Sequence, residues 1–133
     1  VGTIPVNPLF RSRILLLGGW LAELAVATYY CLMPATRLGV VPGSDKLWHW
    51  GGYLLLALPI PFLFGGRQRV WATGAALVAY GIALEFAQEF VPGRSFEVAD
   101  MVANSAGVLS GTIAGFWLRG VLPGMQPWRT AAE

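Results

Sequence analysis

Apolar residues in this chain neither alternate nor recur at one-sided helical spacing; they run on. Four stretches, residues 14–33, 47–64, 70–90 and 98–118, are apolar almost from end to end. An α-helix rises about 1.5 Å per residue, so roughly 20 such residues cross the ~30 Å of bilayer hydrocarbon. The pattern predicts an all-α polytopic membrane protein, a bundle of four transmembrane helices. Turn chemistry separates the runs: Pro42-Gly43-Ser44 precedes the second, Pro92-Gly93-Arg94-Ser95 precedes the fourth, and Gly120 and Pro123 follow it. Pro59 and Pro61 lie inside the second run, where the missing N–H groups should kink or fray its far end. The first run is broken only by Glu23. It reads as a membrane anchor, because it exceeds the 7–15 residue core of a cleaved leader and lacks a small-residue cleavage site before Pro34.

Composition agrees with the pattern. Hydrophobic residues make up 56% of the chain and charged ones 12%, about half the charged share of an ordinary soluble domain. Four spans leave no room for a second folded domain, so the organisation expected is a segment 1–13, a membrane domain 14–118 and a tail 119–133. Nine Lys and Arg against seven Asp and Glu give a net charge of +2, too weak and dispersed for nucleic-acid binding. The lone Cys31 excludes an internal disulfide and a cysteine metal site.

Cations flanking membrane helices are retained on the cytoplasmic side. Arg11, Arg13, Arg67, Arg69, Arg119 and Arg129 fall on one side, and Arg37, Lys46 and Arg94 on the other. Both termini are therefore expected to be cytoplasmic.

With that topology, the polar residues gather at the outer face. Asp45 and His49 open the second helix, Glu85 and Glu89 close the third, and Asp100 and Asn104 open the fourth. Each pair is four residues apart and shares a helix face. Gln88 extends the stripe of Glu85, and Lys46 and Arg94 supply nearby cations. An ionised group in hydrocarbon costs about 2.5–3.5 kcal/mol on insertion scales, so such groups face partners or water-filled cavities. Simple readings compete: Asp45 and Asp100 suit helix N-termini, His49 suits a packed core, and Arg94 suits a loop staple to Glu85 or Glu89. Both glutamates sit where the helix dipole disfavours anions, and Arg94 is the expected compensation. Gly107, Gly111 and Gly115 continue the face of Asp100 and Asn104 and read as a close-packing seam, with Gly74 and Gly81 acting similarly on the third helix.

These residues carry a resemblance. The run from Asp45 and Lys46 through His49 and Trp50 to Tyr53 resembles the D-K-x-x-H-F-x-x-Y opening of the VanZ-like membrane proteins. Glu85, Gln88, Phe90, Pro92, Arg94, Ser95, Phe96, Asp100, Asn104, Gly107 and Gly111 resemble their E-x-x-Q-x-F-x-P-x-R-S-F-x-x-x-D-x-x-x-N-x-x-G-x-x-x-G block, with every spacing kept. Trp50 stands where the family usually has Phe, and Ala99 where a second acidic residue often precedes the Asp. The resemblance implies a small multi-pass bacterial membrane protein, from a family named after a component linked to low-level teicoplanin resistance. It marks Asp45, Lys46, His49, Tyr53, Glu85, Gln88, Pro92, Arg94, Asp100 and Asn104.

Three functions follow as expectations. The first is a non-catalytic accessory of the cell envelope in the bacterial inner membrane. Its outer cluster (Asp45, Lys46, His49, Tyr53, Glu85, Gln88, Glu89, Arg94, Asp100, Asn104) would bind a lipid-linked cell-wall precursor or a glycopeptide-like ligand. The second is a membrane enzyme acting on a lipid headgroup through a His/Glu/Arg/Asp site. The third is transport, which four short helices make difficult without assembly into a homo-oligomer. Membrane lipids are the expected surroundings, and nucleic acid is not a partner. With one histidine there is no H-E-x-x-H zinc site. No cofactor or metal is called for, although the carboxylates leave a divalent cation open.

Overall fold

The computed structural model describes residues 8–38 and 44–122. The expected segment 1–13 is described only from residue 8 and the tail only to residue 122, and Pro42, Gly43, Pro123 and Arg129 lie outside the described residues. The described chain is helical: α1 Pro8–Cys31, α2 Ala35–Leu38, α3 Asp45–Ala57, α4 Ile60–Leu63, α5 Arg67–Gln88 and α6 Val98–Val121.

Three helices, α1, α5 and α6, are long and apolar enough to cross a membrane. At 24, 22 and 24 residues they measure about 33–36 Å. The second predicted span differs. It forms 13-residue α3 and four-residue α4 with Leu58 and Pro59 between them, because the Pro59 and Pro61 rings remove two donors from the helical ladder. Alone, α3 reaches only about 20 Å. The two pieces nevertheless run parallel to α6 over most of its length. Trp50 lies beside Gly107, Leu54 beside Gly111, and Leu58 and Pro61 beside Gly115.

That seam is where the bundle packs tightest. A Cβ on Gly107, Gly111 or Gly115 would collide with the carbonyl oxygen of Trp50, Leu54 or Leu58 respectively. Lipid tails supply no hydrophobic drive between helices, so such close backbone approach is what joins them. Gly81 is a lesser case, with its missing Cβ filled by the Tyr53 ring at 2.9–3.0 Å. At Gly74 a Cβ would meet only Val108 and Thr112, at 3.6 and 3.8 Å. The core comprises Tyr53, Leu56, Ala57, Ile60, Val70, Leu77 and Val108. The outside stays apolar, with Leu15, Trp48, Phe90 and Trp117 among its exposed residues, as a lipid-facing surface should be.

The broken helix leaves carbonyls without helical partners, and other elements take them. Trp20 Nε1 donates to the Leu56 carbonyl at 2.7 Å, Arg119 to Pro61 at 2.8 Å and Arg13 to Leu63 at 3.1 Å. In hydrocarbon every such group needs a partner.

Candidate functional site

The N-terminal ends of α3 and α6 lie side by side, and the C-terminal end of α5 meets them. Lys46 on α3 stands at the centre of an ionic knot. Its Nζ is 2.9 Å from Asp45 Oδ2, 2.9 Å from Asp100 Oδ1, and paired with Glu97. The hydrogen bonds that Lys46 donates to Glu97 and then to Asp100 raise its pKa above the ordinary value, and the bond it donates to Asp45 holds that carboxyl below its own.

One turn further along α3, His49 is buried between two α6 side chains. Its Nδ1 lies 3.1 Å from Asn104 Oδ1 and its Nε2 3.5 Å from Asp100 Oδ2. Glu85 enters from α5, 1% exposed, and accepts the backbone N–H of Glu97 on Oε1 at 2.9 Å. One ligand atom from each of His49, Glu85 and Asp100 lies within 4.8 Å of the others, and Asp45, Glu97 and Asp100 form a second such group.

The expectation for Arg94 is corrected. It contacts neither Glu85 nor Glu89; its Nε donates to the Met33 carbonyl at 3.3 Å and its terminal nitrogen to that of Tyr30 at 3.2 Å. Gln88 Nε2 donates to the Cys31 carbonyl at 2.9 Å. Both therefore brace the C-terminal end of α1 and the turn that follows it, where carbonyls carry negative partial charge. Glu85 finds its compensation elsewhere, at the N-terminal end of α6, where the dipole favours an anion. The loop between α5 and α6 turns at Gly93, φ +76°, and the stacked rings of Phe86 and Phe96, 4.9 Å apart, brace it.

The structure thus brings Asp45, Lys46, His49, Glu85, Asp100 and Asn104 together. Tyr53 is buried one turn deeper against Gly81, while Gln88 and Arg94 are turned to α1. Glu89 is exposed and has no polar partner among the described residues. Glu97 is the member that the sequence reading missed; its signal was a carboxylate three residues before Asp100, at the N-cap of α6.

A family model described as VanZ/LLP1 matches residues 19–119, and so covers every residue of this cluster. The chain belongs to the VanZ-like family. No curated protein and no solved structure matches it. Within this VanZ-like chain the polar block of the family resemblance splits in two: one part builds the buried cluster, the other clamps α1.

Proposed function

We propose that this VanZ-like protein crosses the bacterial inner membrane four times, with α3 and α4 together forming the second crossing and both termini in the cytoplasm. Its outer-face cluster binds the polar head of a membrane ligand, a lipid-linked cell-wall precursor or a glycopeptide-like molecule, and so contributes to teicoplanin-type resistance. One observation carries the reading: three helices of an otherwise apolar bundle commit His49, Glu85, Asp100 and Asn104 to a single buried meeting point at one end. Burying such groups is expensive, and where it occurs it marks pathways and binding sites more often than plain packing.

Arg94 is engaged with α1, and Lys46 with three carboxylates. The cluster's unshared capacity is therefore for accepting hydrogen bonds. Hydroxyl, amide and amino groups of a sugar or peptide head suit it. A second reading, an enzyme acting on the headgroup, is favoured by His49 held between Asn104 and Asp100 with Glu85 beside it, the arrangement a general base requires.

The test is native mass spectrometry of the protein in nanodiscs supplied with lipid-linked precursor. Retention of the precursor by the wild type, with loss in His49→Ala and Glu85→Gln but not Glu89→Gln, supports the reading; equal retention by all overturns it. Reporter fusions that put the Arg94 loop in the cytoplasm would overturn the topology. Appearance of a processed product would favour the enzyme.

A further inference from the structure

We propose that His49, Glu85 and Asp100 bind a divalent metal ion, Zn²⁺ or Mn²⁺, through one imidazole nitrogen and two carboxylate oxygens. The proposal deepens the headgroup reading and rests on it for what the ion would hold.

The first argument is convergence. Three helices supply the three ligands, each residue is less than a tenth exposed, and a donor atom of each lies within 4.8 Å of the others. A modest closure brings them to the roughly 2.0–2.2 Å of zinc–nitrogen and zinc–oxygen bonds.

The second argument is independent and comes from the histidine ring. Asn104 Oδ1 is an amide oxygen and can only accept, so His49 Nδ1 donates to it. The other ring nitrogen, Nε2, is thereby turned toward Asp100 Oδ2 at 3.5 Å. An imidazole nitrogen and a carboxylate oxygen 3.5 Å apart in a buried site are spaced as two ligands of one ion would be.

Charge gives the third. Asp45, Glu97 and Asp100 share a single lysine, and Glu85 lies beside Asp100. The only polar partner of Glu85 among the described residues is the Glu97 N–H, which leaves a buried carboxylate without a counter-ion. Each ligand is also held on its far side: His49 by Asn104, Asp100 Oδ1 by Lys46, and Glu85 Oε1 by Glu97. Metal ligands are characteristically oriented in this way by outer partners.

One imidazole with two carboxylates, and no thiolate, suits a hard to borderline ion. Three protein ligands leave coordination positions open. Those positions would accept phosphate oxygens of a lipid headgroup, providing the positive charge that Arg94 does not.

The experiment uses the full chain, purified in detergent without chelators. Inductively coupled plasma mass spectrometry should find about one Zn²⁺ or Mn²⁺ per chain. Titration of stripped protein with Co²⁺ should give visible absorption bands that disappear in Glu85→Gln and Asp100→Asn and persist in Glu89→Gln. X-ray absorption of the zinc-loaded wild type should show one imidazole among oxygen ligands; this keeps the test alive if the variants fail to fold. An all-oxygen shell, no stoichiometric ion, or a cobalt spectrum unchanged in folded Glu85→Gln would overturn the site. The two proposals fail separately. An ion bound without retention of precursor overturns the headgroup reading and leaves the metal site standing, whereas precursor retained equally by metal-stripped protein overturns the ion's role in holding it.

Discussion

Two parts of this molecule are joined to the rest by opposite means. Between α3 and α6, backbone lies on backbone through Gly107, Gly111 and Gly115. By contrast α1 has no buried residue in its apolar span. It is held by side chains reaching to main-chain or hydroxyl oxygens: Trp20 to Leu56, Arg13 to Leu63, Gln88 to Cys31, Arg94 to Tyr30 and Met33, and the 2.6 Å contact between the Thr28 and Tyr80 hydroxyls. Contact that depends on the absence of a Cβ tolerates no added atom. Contact made by separate hydrogen bonds weakens one bond at a time. The cluster's α3 and α6 members lie on the first kind of joint, so His49, Asp100 and Asn104 are fixed by the stiffest part of the bundle.

The largest effect should come from Gly111→Leu, which drives a side chain into the Leu54 carbonyl. Overpacking of this kind should cost about 3 kcal/mol, read as a fall in melting temperature in detergent, and should also abolish ligand retention. If the loss is below about 1 kcal/mol, the seam is not the rigid joint.

Next come the clamps on α1. Gln88→Ala and Arg94→Gln should each cost about 1 kcal/mol, the worth of a hydrogen bond or two, and each should speed maleimide labelling of the half-buried Cys31. The cluster should keep its ligand in both. A loss of ligand with Cys31 labelling unchanged would return Arg94 to the site.

A smaller effect concerns pH. The Asp45 pKa is lowered, so its stabilising contribution is present above the usual carboxylate value near 4 and is lost as pH falls through the depressed folded value. The Lys46 pKa is raised, so its contribution is present below about 10.4 and is lost only as pH rises through a still higher folded value. The melting-temperature difference between wild type and Lys46→Met should therefore stay flat from about pH 5 to 9. A slope within that window would mean that another group titrates with the knot.

The smallest effect is expected at Gly74→Ala, where the new methyl finds ordinary contacts at 3.6 and 3.8 Å. Its stability should stay within about 0.5 kcal/mol of wild type. This variant tests whether glycine as such, or the near collision, matters.

The sequence made some of this legible and hid the rest for identifiable reasons. Long apolar runs need only length to be read, and three of them became α1, α5 and α6. The prolines announced the break in the second run, but not that it would divide that run into α3 and α4. Four-residue spacing correctly put His49, Asp100 and Asn104 on inward faces, since period alone decides that. Arg94 went to the wrong helix in the sequence reading because nearness along the chain favours Glu89 and Glu85. The end of α1, some 60 residues away, offers carbonyls that only the folded bundle brings within reach. Glu97 went unassigned for the same reason: its partner Lys46 is distant in sequence.

The interrupted second segment also bears on how the protein is made. As it leaves the ribosome, the stretch from Leu56 to Leu63 carries carbonyls that its own helix does not satisfy. Trp20 and Arg13 are already synthesised and can take the Leu56 and Leu63 oxygens at once, whereas Arg119 arrives last and completes the set at Pro61. The final helix thus completes the hydrogen bonding of an earlier one. Chains truncated before residue 119 would leave the Pro61 carbonyl without its Arg119 donor.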